Sequence, residues 1–467
     1  MRPVLTVSEM QAVDAAVQAS TPLDVLVERA GHAVALVALE MMGGAYGRRV
    51  LVVAGKGNNG ADGRIAAGKL RRRGARVTVV EAGGVDGGVD AGSDLDLVID
   101  AAYGTGFRGE YMAPVVHPGT PVLAVDIPSG VNGDTGEGSG RPLRADRTVT
   151  FVALKPGLLQ GDGVGLAGRV TVADIGIPVG HPRLSVMEDR DVAALLPSRG
   201  RNDHKWSSAV LVVAGSPGMT GAAGMCARAA FRTGAGMVRL GVPGEDVADA
   251  GPSESVSVPL PDRGWSDVAL DMSRRCSAVV VGPGLGRDPS TVEEVQRLVS
   301  SSDIPVVVDA DGLFALGCLD GTHPLGHKAP VVLTPHDGEY ERLMGKPAGA
   351  DRIEAARRLS RASGAVVLVK GSTTATADPS GRCLVAMAGS PRLATAGTGD
   401  VLSGIIGAML ARGMAPLEAA ALAAHVHGRA ADRGPGQGLM AGDLPVLVSS
   451  VLSDLSGSDE PRWSLDG

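Results

Sequence analysis

Short, continuous apolar runs bounded by glycine-rich turns recur along most of this chain, with stretches of helical periodicity between them. Two helical segments open it, the second predicted to start at Thr21-Pro22, where threonine can cap and proline suits the first turn. Strands are then predicted at 49–54, 77–80, 95–100, 122–126, 148–152 and 170–173. Apolar runs that alternate with helices mark a parallel sheet covered on both faces. The pattern is interrupted near 185–202 by Pro182, Pro197 and a charged passage ending Arg199-Gly200-Arg201-Asn202-Asp203-His204-Lys205, which places a boundary near residue 187. A second series follows, with strands predicted at 209–213, 237–240, 278–281, 306–309, 331–333 and 366–369 and final helices at 399–412, 416–433 and 443–453. The predicted organisation is 1–187, 188–455 and a polar, frayed tail over 456–467. Both series open with a strand and a glycine loop, Val52-Val53-Ala54-Gly55 and Val212-Val213-Ala214-Gly215, which reads as one turn geometry used twice rather than an internal repeat.

Composition changes the picture in three ways. A chain of 467 residues exceeds one ordinary core, and its 44% apolar, 2% aromatic make-up suits tightly packed α/β layers, so the first half reads as a Rossmann-like three-layer domain followed by a second α/β domain. The net charge of −7 gives no long-range attraction to nucleic acid or an anionic membrane, and the basic cluster at 69–73 reads as a solvated helix end. Cys226, Cys276, Cys318 and Cys383 lack disulfide or zinc spacing, and neither a signal peptide nor a run of about 18 apolar residues occurs. A soluble cytoplasmic protein is expected, with a homo-oligomer left open.

The candidate chemistry falls at strand ends. Gly55-Lys56-Gly57-Asn58-Asn59-Gly60-Ala61-Asp62-Gly63 lies between a strand and a helix, where backbone amides can cradle phosphate. Asp100 precedes Gly104-Thr105-Gly106-Phe107-Arg108-Gly109-Glu110, and Asp126 precedes Ile127-Pro128-Ser129-Gly130, so all three sites gather on one sheet edge. Oxygens of Asn59, Asp100 and Ser129 can surround a hard cation while Asp126 serves proton transfer. These motifs resemble the NAD(P)HX epimerases, from the opening helices to about residue 180, with Ala61 where that family usually has glycine. The resemblance implies potassium on Asn59, Asp100 and Ser129. It also implies substrate contacts from Asn58, Asn59, Gly60, Ala61 and Asp62, from Gly104 through Glu110, and from Asp126, the acid/base candidate. Lys155 is a weaker candidate, expected to be exposed and solvated beside its proline turn.

In the second half, the segments 215–223, Gly282-Pro283-Gly284-Leu285-Gly286, Asp309-Ala310-Asp311-Gly312 and 334–339 all follow strands, the arrangement of a ligand crevice. Lys370-Gly371-Ser372-Thr373-Thr374 offers a cation and hydroxyls to phosphates, and Ala396-Gly397-Thr398-Gly399-Asp400 puts a carboxylate on a helix start that favours anions. This order of motifs resembles the ribokinase-like superfamily, specifically its ADP- or ATP-dependent NAD(P)HX dehydratases, over about 188–453. The resemblance implies that Ala222, Gly284, His336 and Asp400 contact a hydrated dinucleotide, and that Lys370 through Thr374 and Gly399 hold ADP or ATP with magnesium. Trp206 stands where the family often has glycine, a change expected to alter packing on the strand that begins the domain. His425 and His427, two apart on a helix, read as ordinary helix residues.

A poor leaving group on a hydrated nicotinamide ring becomes a good one once phosphorylated. The expected chemistry is therefore phosphorylation of the S hydrate with Asp400 as base, elimination of phosphate to NADH or NADPH, and epimerisation of the R hydrate by the first domain. Two other readings stay open: a vitamin or sugar kinase on the same fold, and a first domain that binds nucleotide without turnover. The choice between ADP and ATP is also open, with family habit favouring ADP.

Overall fold

The computed structural model describes residues 1–83, 94–180, 182–245, 250–319, 321 and 325–457; from residue 458 on, the expected frayed tail lies outside the described residues. The chain divides into two compact units, Arg2–Pro182 and the residues from Arg183 onward. The division falls ahead of residue 187 because Leu184–Val186 is a strand, too short to read from sequence, paired with Cys383–Ala386 in the second unit's sheet.

In the first unit, Arg76–Glu81, Arg49–Ala54, Leu97–Ala101, Val122–Val125, Arg147–Phe151 and Arg169–Ala173 form a parallel sheet in that spatial order. The order reverses between Arg49–Ala54 and Leu97–Ala101, and the loops leaving these two strands must diverge, which opens a crevice there. Helix Leu23–Met42 packs its apolar stripe, including Val34, Ala35 and Ala38, on the sheet core. Its N-cap is Pro22 with no side-chain cap, so Thr21 does not act as the cap expected of it; the first helix, Val7–Gln18, is the capped one, through a Thr6–Glu9 capping box. The segment 58–62 is the first turn of helix Asn58–Arg72 rather than a loop. A Cβ at Gly60 would lie 1.9 Å from the Gly55 carbonyl oxygen, so only glycine lets this helix start so close to the strand end.

The second unit's sheet runs Leu184–Val186, Cys383–Ala386, Thr374–Ala377, Val366–Val369, Val331–Leu333, Val306–Val308, Ala278–Val281, Ala209–Val213, Met237–Pro243 and Val256–Leu260. It is parallel except where Thr374–Ala377 runs against both neighbours. Its order reverses between Ala278–Val281 and Ala209–Val213, the position at which a parallel sheet favours a ligand crevice beyond its carboxyl ends. Helix Thr398–Ala411 is buried over nearly its whole length, leaving only Gly399 and Asp400 of its first turn partly accessible. It crosses helix Thr220–Arg232 at Gly404, where a Cβ would sit 2.2 Å from the Cys226 carbonyl oxygen. Gly404→Val is therefore expected to force these helices apart and cost about 3 kcal/mol, read as a lower urea midpoint at unchanged m. No helix among the described residues is long and apolar enough to cross a membrane.

Candidate active sites

The crevice of the first unit is a cavity of about 820 Å³. Asn58, Asn59, Asp62, Gly104, Thr105, Gly106, Phe107, Arg108, Asp126 and Lys155 line it together. Gly60, Ala61, Gly109 and Glu110 are not among its lining residues: Gly60 is spent on the helix–strand crossing and Gly109 and Glu110 are exposed beyond the loop.

Asp100 is fully buried, accepting from Ser129 Oγ at 2.6 Å and from the Ser129 backbone N–H at 2.9 Å. Burial raises its pKa even against these donors. Both polar atoms of the Asn59 amide are buried without a hydrogen-bond partner. A buried carboxylate with only neutral donors lacks a positive partner, and the Asn59 amide oxygen is left unpartnered, so the chemistry of these residues fits a cation.

Lys155 is not the solvated side chain its sequence context suggests. It is 1% exposed, and its Nζ donates to Asp126 Oδ1 at 2.6 Å, to Thr150 Oγ1 at 2.8 Å and to the Phe151 carbonyl at 3.0 Å. Thr150 Oγ1 also donates to Asp126 Oδ1, at 3.1 Å. Asp126 itself has a φ of 66°, a left-handed conformation unusual for a residue with a Cβ and the kind of strain held at functional sites. Asp62, deeper in the cavity, is pushed up to about 8 by burial and then by the Asp126 charge. One cavity thus holds a carboxylate fixed by a buried ammonium and a carboxyl kept protonated at neutral pH.

In the second unit, Asp309 ties the site together. It is buried, accepting from Lys370 Nζ at 2.7 Å on one oxygen and from Ser403 Oγ at 2.7 Å on the other. Burial works to raise its pKa, but the Lys370 ammonium prevails and holds it low. Asp400, one helical turn before Ser403, is raised to about 7 by burial and then by the Asp309 charge, against the pull of Lys370. A Cβ built on Gly399 would lie 3.4 Å from Lys370 Nζ, so Gly399 and Lys370 meet, as do Ala222 and Gly284, where the corresponding distance is 3.1 Å. The 370–374 segment is braced from behind by Arg352, whose guanidinium donates to the carbonyls of Lys370 and Thr373 and to Asp337 Oδ1. Gly371 and Ser372 are its exposed members; Thr373 is buried and Thr374 opens a strand.

His336 caps helix Asp337–Met344, its Nδ1 accepting from the Gly338 and Glu339 amides at 3.1 and 3.3 Å. These bonds leave Nε2 as the protonated nitrogen of the neutral ring, on an exposed edge. Glu339 Oε2 lies 3.8 Å from Lys370 Nζ. Trp206 sits in the turn before strand Ala209–Val213 rather than on it, with Arg275 stacked 4.2 Å over its ring.

Sequence profiles agree with this division. One described as NAD(P)H-hydrate dehydratase matches residues 210–453, and one described as YjeF-related protein N-terminus matches 23–91 and 81–157. The bifunctional NAD(P)H-hydrate repair enzyme of Moorella thermoacetica is 37% identical over 97% of each chain. This chain belongs to the bifunctional NAD(P)H-hydrate repair enzymes. The solved ADP/ATP-dependent NAD(P)H-hydrate dehydratase of Bacillus subtilis, co-crystallised with ATP/Mg2+, has a TM-score of 0.50 and 30% identity, covering 57% of this chain and 97% of its own. A ribokinase-like superfamily protein of Enterococcus faecalis shares the second unit's fold at TM-score 0.51 and 21% identity, covering 60% of this chain and 98% of its own.

In this family member three groups at the second site carry more than their sequence context indicates: Asp309, which stands only within a strand-end motif, Ser403, which lies in a helical run, and His427, which reads with His425 as an ordinary helix residue. His427 is buried, its Nε2 has no hydrogen-bond partner, and burial followed by the Lys370 charge lowers it to about 4. His425, its neighbour on the helix, instead bonds Asp189 at 2.8 Å.

Proposed function

We propose that the first unit interconverts the R and S hydrates of NADH and NADPH and that the second dehydrates the S hydrate, with ADP or ATP as phosphoryl donor. The observation that carries this reading is Asp400. A carboxyl raised to about 7 on the first turn of a helix is tuned to take a proton near neutral pH, at a helix N-terminus that favours a phosphoryl group.

In the dehydration, Asp400 takes the proton of the ring hydroxyl as that oxygen attacks the terminal phosphorus, whose bond to the bridging oxygen breaks to release AMP from ADP or ADP from ATP. The amides of the 397–399 turn and the Lys370 ammonium face the transferring charge. Magnesium arrives with the nucleotide as part of the substrate and neutralises its phosphates. Asp309 keeps Lys370 charged and in place. The ring C–O bond then breaks, phosphate leaves, and the adjacent ring carbon gives up a proton to solvent or to the departing phosphate, which restores the ring double bond. In the epimerisation, the C–O bond must break and re-form on the other ring face. Asp126, held by Lys155, moves a proton to and from that oxygen.

Potassium is assigned to Asn59, Asp100 and Ser129. It would supply positive charge to the buried Asp100 and orient the loop above the substrate. The four cysteines are free thiols, which suits a reducing cytosol.

The dehydratase kcat/KM is expected to rise with pH through an apparent pKa near 7, because the base must be ionised before substrate binds. A flat profile across that range would remove Asp400 from the role. The reading as a whole is tested by following recovery of reduced-nicotinamide absorbance from mixed hydrate epimers with magnesium, potassium and either ADP or ATP. Recovery of both epimers is expected. A stable phosphorylated product without recovery would instead make the second unit a vitamin or sugar kinase.

A further inference from the structure

A second cavity, of about 520 Å³, lies in the second unit away from its catalytic crevice. Its walls come from 197–208, which precede strand Ala209–Val213, from Ala235 and Gly236, which precede strand Met237–Pro243, and from Arg412, which follows helix Thr398–Ala411. In a parallel sheet this is the amino edge, opposite the carboxyl edge where Asp309 and Gly284 sit.

The charge there runs against the chain as a whole. Arg199, Lys205 and Arg412 face one carboxylate, Asp203, with His204 beside them, although the net charge of the protein is −7. Asp203 is already engaged, accepting from the Gly200 amide at 2.8 Å. The guanidinium of Arg412 is half-buried and donates only to carbonyls, those of Thr233 and Pro197, while Arg199 donates to the Gly234 carbonyl at 3.0 Å. No carboxylate lies within ion-pair distance of Arg199, Lys205 or Arg412 among the described residues. Burial and the nearby Arg199 charge both work against the Arg412 cation. Two guanidiniums and an ammonium around a recess that holds a single carboxylate, none of the three ion-paired to it, leave a net positive lining suited to a phosphate group. The recess is also far larger than a free phosphate needs and falls in the range of small-metabolite sites.

We infer that this amino-edge cavity binds a phosphate monoester of metabolite size, separately from both catalytic crevices. Trp206, between the lining residues Lys205 and Ser207, supplies the readout. The full-length protein, its nucleotide crevice saturated with ADP and magnesium, is titrated with ribose 5-phosphate while tryptophan fluorescence is recorded. A saturable change is expected, absent in Trp206→Phe and weakened about tenfold or more in the Arg199→Gln, Lys205→Gln double variant. An unchanged circular dichroism spectrum and retained nucleotide-dependent dehydration show that the double variant is folded. Inorganic phosphate is expected to compete only at higher concentration. No saturable response, a response that survives Trp206→Phe, or an equal midpoint in the double variant overturns the assignment. Equal midpoints for phosphate and ribose 5-phosphate overturn the ester as its ligand.

Discussion

Asp400→Asn is expected to lower nucleotide-dependent dehydration by about 10³-fold, because a general base is lost while the neutral amide keeps shape and packing. The same change is expected to make the protein more stable above neutral pH. In the wild type the folded state holds this carboxyl at about 7 instead of 3.8, so folding at higher pH must accommodate a charge that burial and Asp309 disfavour. Below about pH 4 both side chains are neutral and the difference vanishes; between there and pH 7 it grows, and above that it is complete. The whole excursion would be worth about 4 kcal/mol, and partial hydration of the carboxyl brings the expected gain to about 1–2 kcal/mol. Paired melts at about pH 8 and pH 4 check this: a variant no more stable at the higher pH would mean Asp400 is not held in an unfavourable charge environment.

The second large effect belongs to the other unit. Asp126→Asn is expected to slow epimerisation about 10²- to 10⁴-fold while the S hydrate is still dehydrated at the wild-type rate. Asparagine tolerates the left-handed backbone that Asp126 adopts, so the substitution removes charge without adding strain. Lys155→Met should cost more in stability, about 3–5 kcal/mol, because it leaves the Asp126 carboxylate without its counter-charge. Progress curves on mixed epimers separate the cases. Recovery that stops once the S form is consumed places the defect in epimerisation, whereas equal slowing on pure S hydrate would show that the change reaches the second unit.

Most of the layered architecture was legible because parallel strands buried on both faces must be continuous apolar runs, as Arg49–Ala54 is after its first residue and Ala278–Val281 is throughout. The strands that escaped notice lack that mark. Thr374–Ala377 is built of threonine and alanine, Val256–Leu260 contains a proline, and Leu184–Val186 is three residues long. The strand-end motifs of the first unit likewise mark its cavity, which residues 55–59 and 104–108 line where the strand order reverses. What they did not tell was which side chains would be buried. Lys155 beside a proline turn gives no local sign that Asp126 and Thr150 enclose it, and the place of Asp309 between Lys370 and Ser403 depends on residues 61 and 94 positions away. Ion pairs of that kind arise from tertiary packing, which a local pattern does not encode.

The buried helix Thr398–Ala411 also governs the order in which the protein can assemble during synthesis. It packs against Thr220–Arg232, an element made long before it, so the growing chain exposes the valine strands of its second half until that late helix emerges. The residues of the first unit are all made before that helix, whereas the second unit's sheet lacks this cover until it is made, and exposed apolar strands of that kind favour aggregation.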